Sequence, residues 1–484
     1  MSQITVAAPE ALQEINRLYR EVIEDMHRRG FKQWVWGEYP TAEMLADDAA
    51  HGRLYRLDDE NGLAGAFAAC EGQSPEYAAL SWHFGVRPCT LHRVALRPDR
   101  FGRGYGRQIT QFAMDAGRER GCDCFRVDTS SENERALKLF SGMTERYVGD
   151  VFFPDHGEPF RAFEKRLTED CPLLPMRMRP AYRYGDMTPW GGDGLRRAFG
   201  LEIPDERTGE ALVISAIPQL ESRDDADETL TELIARYGEK LVGAKNVETF
   251  PLLLKLIAAR EQLSVQVHPD DAYAAEHEHK LGKSEAWVIL HAEEGARILY
   301  GLKSQTNTEL LRNVLDAGGD IEPLIESVPV HAGDVFYMPS GMVHAIGGGI
   351  VLYEIQQSSD VTYRLWDYNR TNAKGEKRPL HLKQALDVIR PALRGQRAAL
   401  TDEPGFHRLL DVPAFTLDCL TLQGELPIRP NAGGFRMLTA LGGLTLQWDG
   451  DALELHAGES VLLPACCPPV TLVGVGKALM SSSK

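Results

Sequence analysis

The chain has 484 residues, of which 43% are hydrophobic and 25% charged, and it carries a formal net charge of −17. Its length exceeds one ordinary core and predicts about two to four domains of a soluble globular protein. The negative balance excludes nucleic acid and anionic membranes as natural partners, since both need a positive surface, but it leaves room for an anionic substrate held by a local cluster of Lys and Arg. At the N-terminus no basic stretch precedes an apolar core, and no run nears about 18 apolar residues, so a cytoplasmic protein is expected. The eight cysteines have no zinc-finger spacing. Cys122 and Cys124, like the adjacent Cys466 and Cys467, read as reduced, buried small residues.

The first 168 residues alternate helical and strand-like patterns. A helix is expected from Ala8 to Arg29, with Leu12, Ile15, Leu18, Tyr19 and Ile23 near 3.6 spacing. Strand-like runs follow at Leu54, at Leu63–Ala69 and at Leu91–Pro98. Then come the glycine-rich turn Gly102-Arg103-Gly104-Tyr105-Gly106 and a helix whose Ile109, Phe112, Ala113 and Ala116 share a face. A strand at Cys124–Asp128 leads into a second helix, Asn133 to Phe140. A strand, a glycine turn and a helix N-terminus together present several free N–H groups, which is a pyrophosphate site.

This order resembles the GNAT acetyltransferase family over residues 1–168. The resemblance implies an α+β domain in which Arg103, Gly104, Tyr105 and Gly106 cradle the pyrophosphate of acetyl-CoA. It also implies that Asn133 opens a second cofactor-contacting helix. A β-carbon at Gly106 would occupy space the phosphate needs. The sequence departs from the family at three places. Phe101 replaces a polar residue before the turn, Thr144-Glu145 replaces Gly-Phe, and Phe140 stands where many members carry a Tyr that protonates the leaving thiol. The acceptor is not legible.

Residues 169–189 read as a linker, with breakers at Pro172, Pro175 and Pro189. Beyond it helices are expected at Asp227–Tyr237, Phe250–Arg260, Thr308–Ala317 and Leu382–Ile389. A faint repeat, Gly458–Ala465 echoing Gly333–Ser340, points to two stacked β-sandwiches. The second copy has Cys466-Cys467-Pro468-Pro469 and no His, so only the first sandwich is expected to hold metal.

Between residues 263 and 364 lie four potential metal ligands. In Leu263–Pro269 the apolar Leu263, Val265 and Val267 alternate with Ser264, Gln266 and His268, which puts Gln266 and His268 on one strand face. Glu285 stands at the mouth of an apolar strand, and His344 lies just past the strand of Gly333–Pro339. Two His, one Glu and one Gln oxygen form a mixed N/O set, suited to Zn²⁺ or another divalent transition metal with water positions open.

Three blocks, Ser264–Asp271, Gly282–Trp287 and Gly333–Arg370, resemble the class I mannose-6-phosphate isomerases, a cupin family, over residues 173–484. The resemblance implies a double cupin of two jelly-roll sandwiches with helical insertions, divided as 190–398 (metal-binding) and 399–484 (degenerate). It maps the metal ligands onto Gln266, His268, Glu285 and His344, and places Glu354 and Arg364 in the active site. It also makes Ser264 and Lys283 the phosphate contacts and retains Glu210. The substrate implied is a phosphosugar, mannose 6-phosphate interconverting with fructose 6-phosphate. Leu212-Val213 replaces the usual Trp-Glu and Ile217 replaces a His, changes expected at the pocket rim. The competing readings are a non-catalytic sugar-phosphate-sensing cupin attached to an active acetyltransferase, and an isomerase for another phosphosugar. A surface ion pair of Arg364 with Asp360 or Asp367 is the alternative role for that arginine.

Overall fold

The computed structural model describes the whole chain apart from residues 1, 155, 156, 372–374, 430, 432 and 450. It divides into two compact units, Met1–Leu174 with Trp448–Ala452, and Pro175–Gln447 with Leu453–Lys484.

The first unit contains β1 (Gln3–Val6), α1 (Leu12–Arg28), α2 (Ala42–Ala50), β2 (Leu54–Asp59), β3 (Gly62–Glu71) and β4 (Pro88–Leu96). They are followed by α3 (Tyr105–Glu119), β5 (Cys124–Ser130), α4 (Glu134–Ser141), β6 (Arg146–Val151) and β7 (Phe160–Arg166). Among the described residues these strands form one sheet in the order β1-β2-β3-β4-β5-β7-β6. The predicted spacing of α1 buries Ile15, Leu18, Tyr19 and Ile23. Ile15, Leu18 and Tyr19 pack on Leu54, Leu63 and Ala95, while Ile109, Ala113 and Met114 of α3 pack on Leu91, Phe125 and Val127. Two separate cores therefore flank one sheet, as the residues' alternation between faces demands.

The rest of the chain begins with β8 (Met176–Met178), β9 (Ala181–Tyr184), α5 (Gly194–Phe199), β10 (Thr208–Ile214), α6 (Leu230–Tyr237) and α7 (Glu239–Val242). Next come β11 (Leu252–Ala259), β12 (Val265–Val267), α8 (Asp271–His277), β13 (Glu285–Ala292), β14 (Arg297–Leu302) and α9 (Thr308–Asp316). These lead to β15 (Ile325–Pro329), β16 (Asp334–Met338), β17 (His344–Ile346), β18 (Ile350–Gln357), β19 (Tyr363–Trp366) and α10 (Leu382–Val388). The C-terminal strands are β20 (Gln396–Ala399), β21 (Gly405–Asp411), β22 (Phe415–Ile428), β23 (Arg436–Ala440), β24 (Leu444–Trp448), β25 (Asp451–Leu455), β26 (Ser460–Leu463) and β27 (Val470–Ser483).

A sheet in the order β20-β16-β13-β18-β11-β10-β9 faces a smaller one, β15-β14-β17-β12-β19. Trp287, Ile289, Ile257 and Leu352 from the first meet Ile298, Tyr300 and Ile346 from the second. The outer face of the larger sheet packs on the C-terminal strands, where Tyr353 Oη lies 2.8 Å from Ser481 Oγ. Those strands follow the order β21-β22-β27-β23-β26-β8, with β24 and β25 attached. The repeat read from the sequence is visible as β16 and β26, each entered from a glycine turn and ended by a proline.

Two expectations are corrected. Phe250–Arg260 is not a helix: Leu252–Ala259 is strand β11, buried along its whole length and paired with β10 and β18. A continuous apolar run has no period to separate a doubly covered strand from a buried helix. The span expected as linker, 169–189, also contains β8, paired with β26, and β9, paired with β10. Such short runs show no signal of their own, because they become strands only by completing an existing sheet edge.

Helix α6 starts at a capping box, in which Thr229 accepts from Glu232 N–H while the Glu232 carboxylate accepts from Thr229 N–H at 2.8 Å. Thr229→Ala should lower the unfolding free energy by about 1 kcal/mol, read as a lower denaturant midpoint with an unchanged slope.

Candidate active site

β12 lies between β17 and β19, and Gln266 stands opposite His344 on one side and Arg364 on the other. Directly opposed residues share a sheet face, so these three side chains form a row across the small sheet. His268 follows β12, and Glu285 opens β13 on the opposing sheet. Ligand atoms of His268, Glu285 and His344 all fall within 4.8 Å of one another, and all three residues are buried. His344 Nε2 lies 3.0 Å from Glu285 Oε1, and His268 Nε2 lies 3.4 Å from Glu285 Oε2. Gln266 Nε2 lies 3.4 Å from His344 Nε2. A half-turn of that amide, whose O and N positions are set by assignment, presents Oε1 to the cluster instead.

Each imidazole is oriented from behind. His268 Nδ1 lies 2.9 Å from the carbonyl oxygen of Val361, and His344 Nδ1 lies 2.8 Å from that of Met342. A proton on each Nδ1 leaves Nε2 with a free lone pair, the arrangement that carbonyl-backed metal-binding histidines use. Burial and the Lys283 charge push the His268 imidazole down to about 3, so it is neutral. Burial pushes the Glu285 carboxyl up, but Lys283, His344 and His268 outweigh it and hold the group well below its usual range. Despite their close neighbours, both Glu285 oxygens and His268 Nε2 lack a properly aligned hydrogen bond. Buried, orphaned acceptor atoms of this kind, converging from both sheets, fit a divalent cation.

A second charged group lies along the inner face of the larger sheet. Lys255 on β11 stands opposite Glu354 on β18, with Nζ 3.1 Å from Glu354 Oε2 and 3.6 Å from Glu210 Oε2. Glu210 also meets Arg183 at 3.4 Å, and Trp287 Nε1 donates to Glu354 Oε1 at 3.4 Å. Burial raises Glu354 to about 7, with Lys255 opposing the shift and Glu285 adding to it. Lys255 was not found by sequence reasoning. A lone lysine in Leu-Leu-Leu-Lys-Leu-Ile-Ala-Ala was the available signal, since a buried ammonium needs buried partners.

The structure brings Glu210, Lys283 and Glu354 to the neighbourhood of His268, Glu285 and His344, with Lys283 Nζ 2.9 Å from Glu285 Oε2. Ser264 is buried two residues before Gln266. Arg364 does not form the surface pair considered for it. Asp360 is taken by Lys280, and Asp367 by Arg370 and Arg378. Arg364 Nε is buried without a partner among the described residues. The replacements at Leu212 and Ile217 are not at a rim either: Leu212 stands opposite Lys255, and both are buried with Leu253.

In the first unit, Gly104 caps α3 with a φ of 81°. Gln108 N–H makes the first helical bond to Gly104 O, leaving the amides of residues 104–107 without intrahelical partners. Gly106 lies inside α3 with ordinary φ, and an added Cβ would meet Leu139 Cδ2 at 3.0 Å, so the conformational demand for glycine falls on Gly104. Tyr105 Oη donates to Asp59 at 3.1 Å, and the exposed Arg103 guanidinium lies 3.9 Å from the same carboxylate. Asn133 caps α4, its Oδ1 accepting from Ala136 N–H at 3.2 Å. Phe140 is buried in the core beneath that helix.

Comparisons with known proteins divide along the same lines. The model "Phosphomannose isomerase type I, catalytic domain" matches residues 181–286, and "Acetyltransferase (GNAT) family" matches residues 15–143. A mannose-6-phosphate isomerase from Streptococcus mutans is 39% identical over 284 residues, covering 57% of this chain and 88% of the relative. ManA of Bacillus subtilis is 44% identical over 302 residues, covering 60% of this chain and 94% of the relative. The chain belongs to the mannose-6-phosphate isomerase family. The crystal structure of a mannose 6-phosphate isomerase from Bacillus subtilis superposes with a TM-score of 0.59 at 32% identity, over 64% of this chain and 99% of the other. A putative mannosephosphate isomerase from Archaeoglobus fulgidus shares the fold at a TM-score of 0.52 and 22% identity, over 64% of this chain and 99% of the other. This member of the family carries a GNAT domain ahead of its cupin.

The approach of Gly282 to the His268 segment offers a check on the centre. An added Cβ would lie 2.5 Å from backbone atoms of Asp270 and Asp271, while Lys283 N–H donates to Pro269 O at 3.0 Å. Gly282→Ala should push Glu285 away from His268 and weaken divalent-metal binding by about tenfold or more, near 1.4 kcal/mol. Metal titration of the stripped protein would read it.

Proposed function

We propose that the cupin unit interconverts mannose 6-phosphate and fructose 6-phosphate with one divalent ion, Zn²⁺, held by Gln266, His268, Glu285 and His344. The observation that carries this reading is the buried Lys255–Glu354 pair beside the ligand cluster, because a sugar-phosphate sensor needs no proton-transfer group. The ion, when bound, polarises the carbonyl and hydroxyl oxygens of the sugar. Glu354 takes the proton from one of the two carbons and returns it to the other. Its place on a central strand, between Lys255 and Trp287, holds the carboxylate to one position and keeps bulk water away. Arg364 meets the oxygen on which negative charge develops, since its guanidinium stays charged throughout the cycle. Ser264 and Lys283 take the phosphate, and Glu210 fixes Lys255.

The decisive measurement is formation of fructose 6-phosphate from mannose 6-phosphate, coupled to a reporter enzyme, before and after chelation. Turnover should vanish with chelator and return with Zn²⁺. No product from the metal-loaded protein would favour the sensor. Arg364→Lys keeps the charge and loses the planar fork, so kcat should fall by about a hundredfold or more, at least 2.7 kcal/mol in the barrier, with metal content unchanged. Near-normal turnover would return Arg364 to a structural role.

The GNAT unit binds acetyl-CoA in this reading, with the free amides at Gly104–Arg107 against the pyrophosphate. A β-branched side chain at Gly104 cannot hold the positive φ without strain. Gly104→Val should weaken acetyl-CoA binding by about tenfold, near 1.4 kcal/mol, in calorimetry on the full chain, while isomerase turnover stays as it was.

A further inference from the structure

The GNAT sheet opens at one place. β4 and β5 pair in parallel over three rows, from Pro88 opposite Cys124 to Thr90 opposite Arg126. Beyond that row β4 follows β3 and β5 follows β7, so the facing edges of His92–Leu96 and Val127–Ser130 separate. β4 also bulges at this point. Ala68 stands opposite His92 but Ala66 stands opposite Ala95, and Arg93 takes a φ of 52°. That unusual backbone is clamped: Tyr19 Oη donates to Arg93 O at 2.5 Å, and the Arg93 guanidinium pairs with Asp48.

His92 and Asp128 come two residues after the last paired row. Strand alternation puts both on the face of Thr90 and Arg126, away from the α3 core that buries Leu91, Phe125 and Val127. The Asp128 carboxylate accepts a hydrogen bond from the Tyr77 hydroxyl. Tyr77 is fully buried and is held by Trp82, whose Nε1 donates to its carbonyl at 2.9 Å. Burial pushes Asp128 up to about 6, with the Tyr77 bond opposing and the Glu76 charge adding to the shift. Tyr39, from the segment between α1 and α2, contacts the Arg93 side chain and feels the Asp128 charge. Burial and Arg93 push His92 down to about 4, so it supplies no positive charge. No Lys, Arg or His among the described residues forms an ion pair with Asp128, and the residue as a whole is only partly buried. A carboxylate held by one phenol, with no counter-cation, is free to accept a single proton from a neutral amine.

We propose that Asp128 is the catalytic proton acceptor for acetyl transfer to a compact primary amine that enters between the diverging strands. The inference rests on the acetyl-CoA reading of the same unit. The amine nitrogen forms a bond to the thioester carbonyl carbon, the carbon–sulfur bond breaks, and the nitrogen's proton passes to the Asp128 carboxylate. The CoA leaves as thiolate and takes a proton from water, because Phe140 has none to give. The protonated Asp128 then returns its proton to solvent.

The test uses the full chain, acetyl-CoA and three probe amines, 2-phenylethylamine, spermidine and glucosamine, with thiol release as the readout. Asp128→Asn should lower kcat by about a hundredfold, the size of a general-base contribution, with acetyl-CoA affinity unchanged. Tyr77→Phe removes the bond that lowers the Asp128 pKa, so the ionised acceptor appears at higher pH. The acid limb of kcat should therefore move up from about 6, a shift that a merely structural role would not produce. Asp128→Asn turnover within about threefold of wild type, an unmoved limb in Tyr77→Phe, or no transfer to any of the three amines by protein that binds acetyl-CoA would each overturn the proposal. A wild-type chain that fails to bind acetyl-CoA would instead bring down the cofactor reading, and this inference with it.

Discussion

The cupin half of the molecule is organised around one buried carboxylate. Glu285 is fully buried, faces two imidazoles and an ammonium, and finds no well-aligned hydrogen bond. Burying an ionised acid costs several kcal/mol unless opposite charge compensates it. His268 is neutral and adds no full charge, and Lys283 supplies one from two residues away. The carbonyls of Val361 and Met342, which orient the imidazoles, place both Nε2 lone pairs on the same point. A divalent cation satisfies all of these demands together, and its binding then stabilises the fold as well as the chemistry.

The geometry depends on the two sheets having different jobs. The small sheet carries Gln266, His344 and Arg364 in register across three short strands, so their spacing is set by the hydrogen-bond ladder. The larger sheet carries Glu285, Glu354, Lys255 and Glu210 across β13, β18, β11 and β10. Its far face is closed by the C-terminal strands, through contacts such as Tyr353 with Ser481. Double coverage removes water from the central strands, which is why their charges occur as neighbours on one face. Leu212 and Leu253 beside Lys255 extend this dry surface.

The first unit shapes its opening through backbone geometry, on which its side-chain contacts then converge. The sheet is continuous until β4 bulges and β5 turns away, and the glycine turn follows at the end of β4. Tyr19, Asp48 and Tyr39 come from α1, α2 and the segment joining them, and all three act on Arg93 at the bulge. The helices on that face therefore define the shape of the opening, while α3 and α4 on the other face define the cofactor turn.

Local patterns were enough to read much of this from sequence. The alternation in Leu263–Pro269, the glycine turn at 102–106 and the 3.6 spacing of α1 each report the environment of their own residues, and each was seen where expected. The resemblance joined Gln266, His268, Glu285 and His344, which are separated by as many as 78 residues, and the structure brought them together. Other features had no local signature. Leu252–Ala259 is apolar throughout, so only its pairing with β10 and β18 decided that it is a strand and that Lys255 faces Glu354. The strands at 176–178 and 181–184 exist because two sheets had open edges to receive them. The position of glycine's positive φ at 104, and the pairing that ends at Thr90 opposite Arg126, belong to backbone geometry that side-chain identity does not encode. Sequence by itself thus determined which residues could bind and which faces were apolar, because those depend on neighbours along the chain. Tertiary structure alone decided which charges share a buried face, because that depends on strand register between segments distant in sequence.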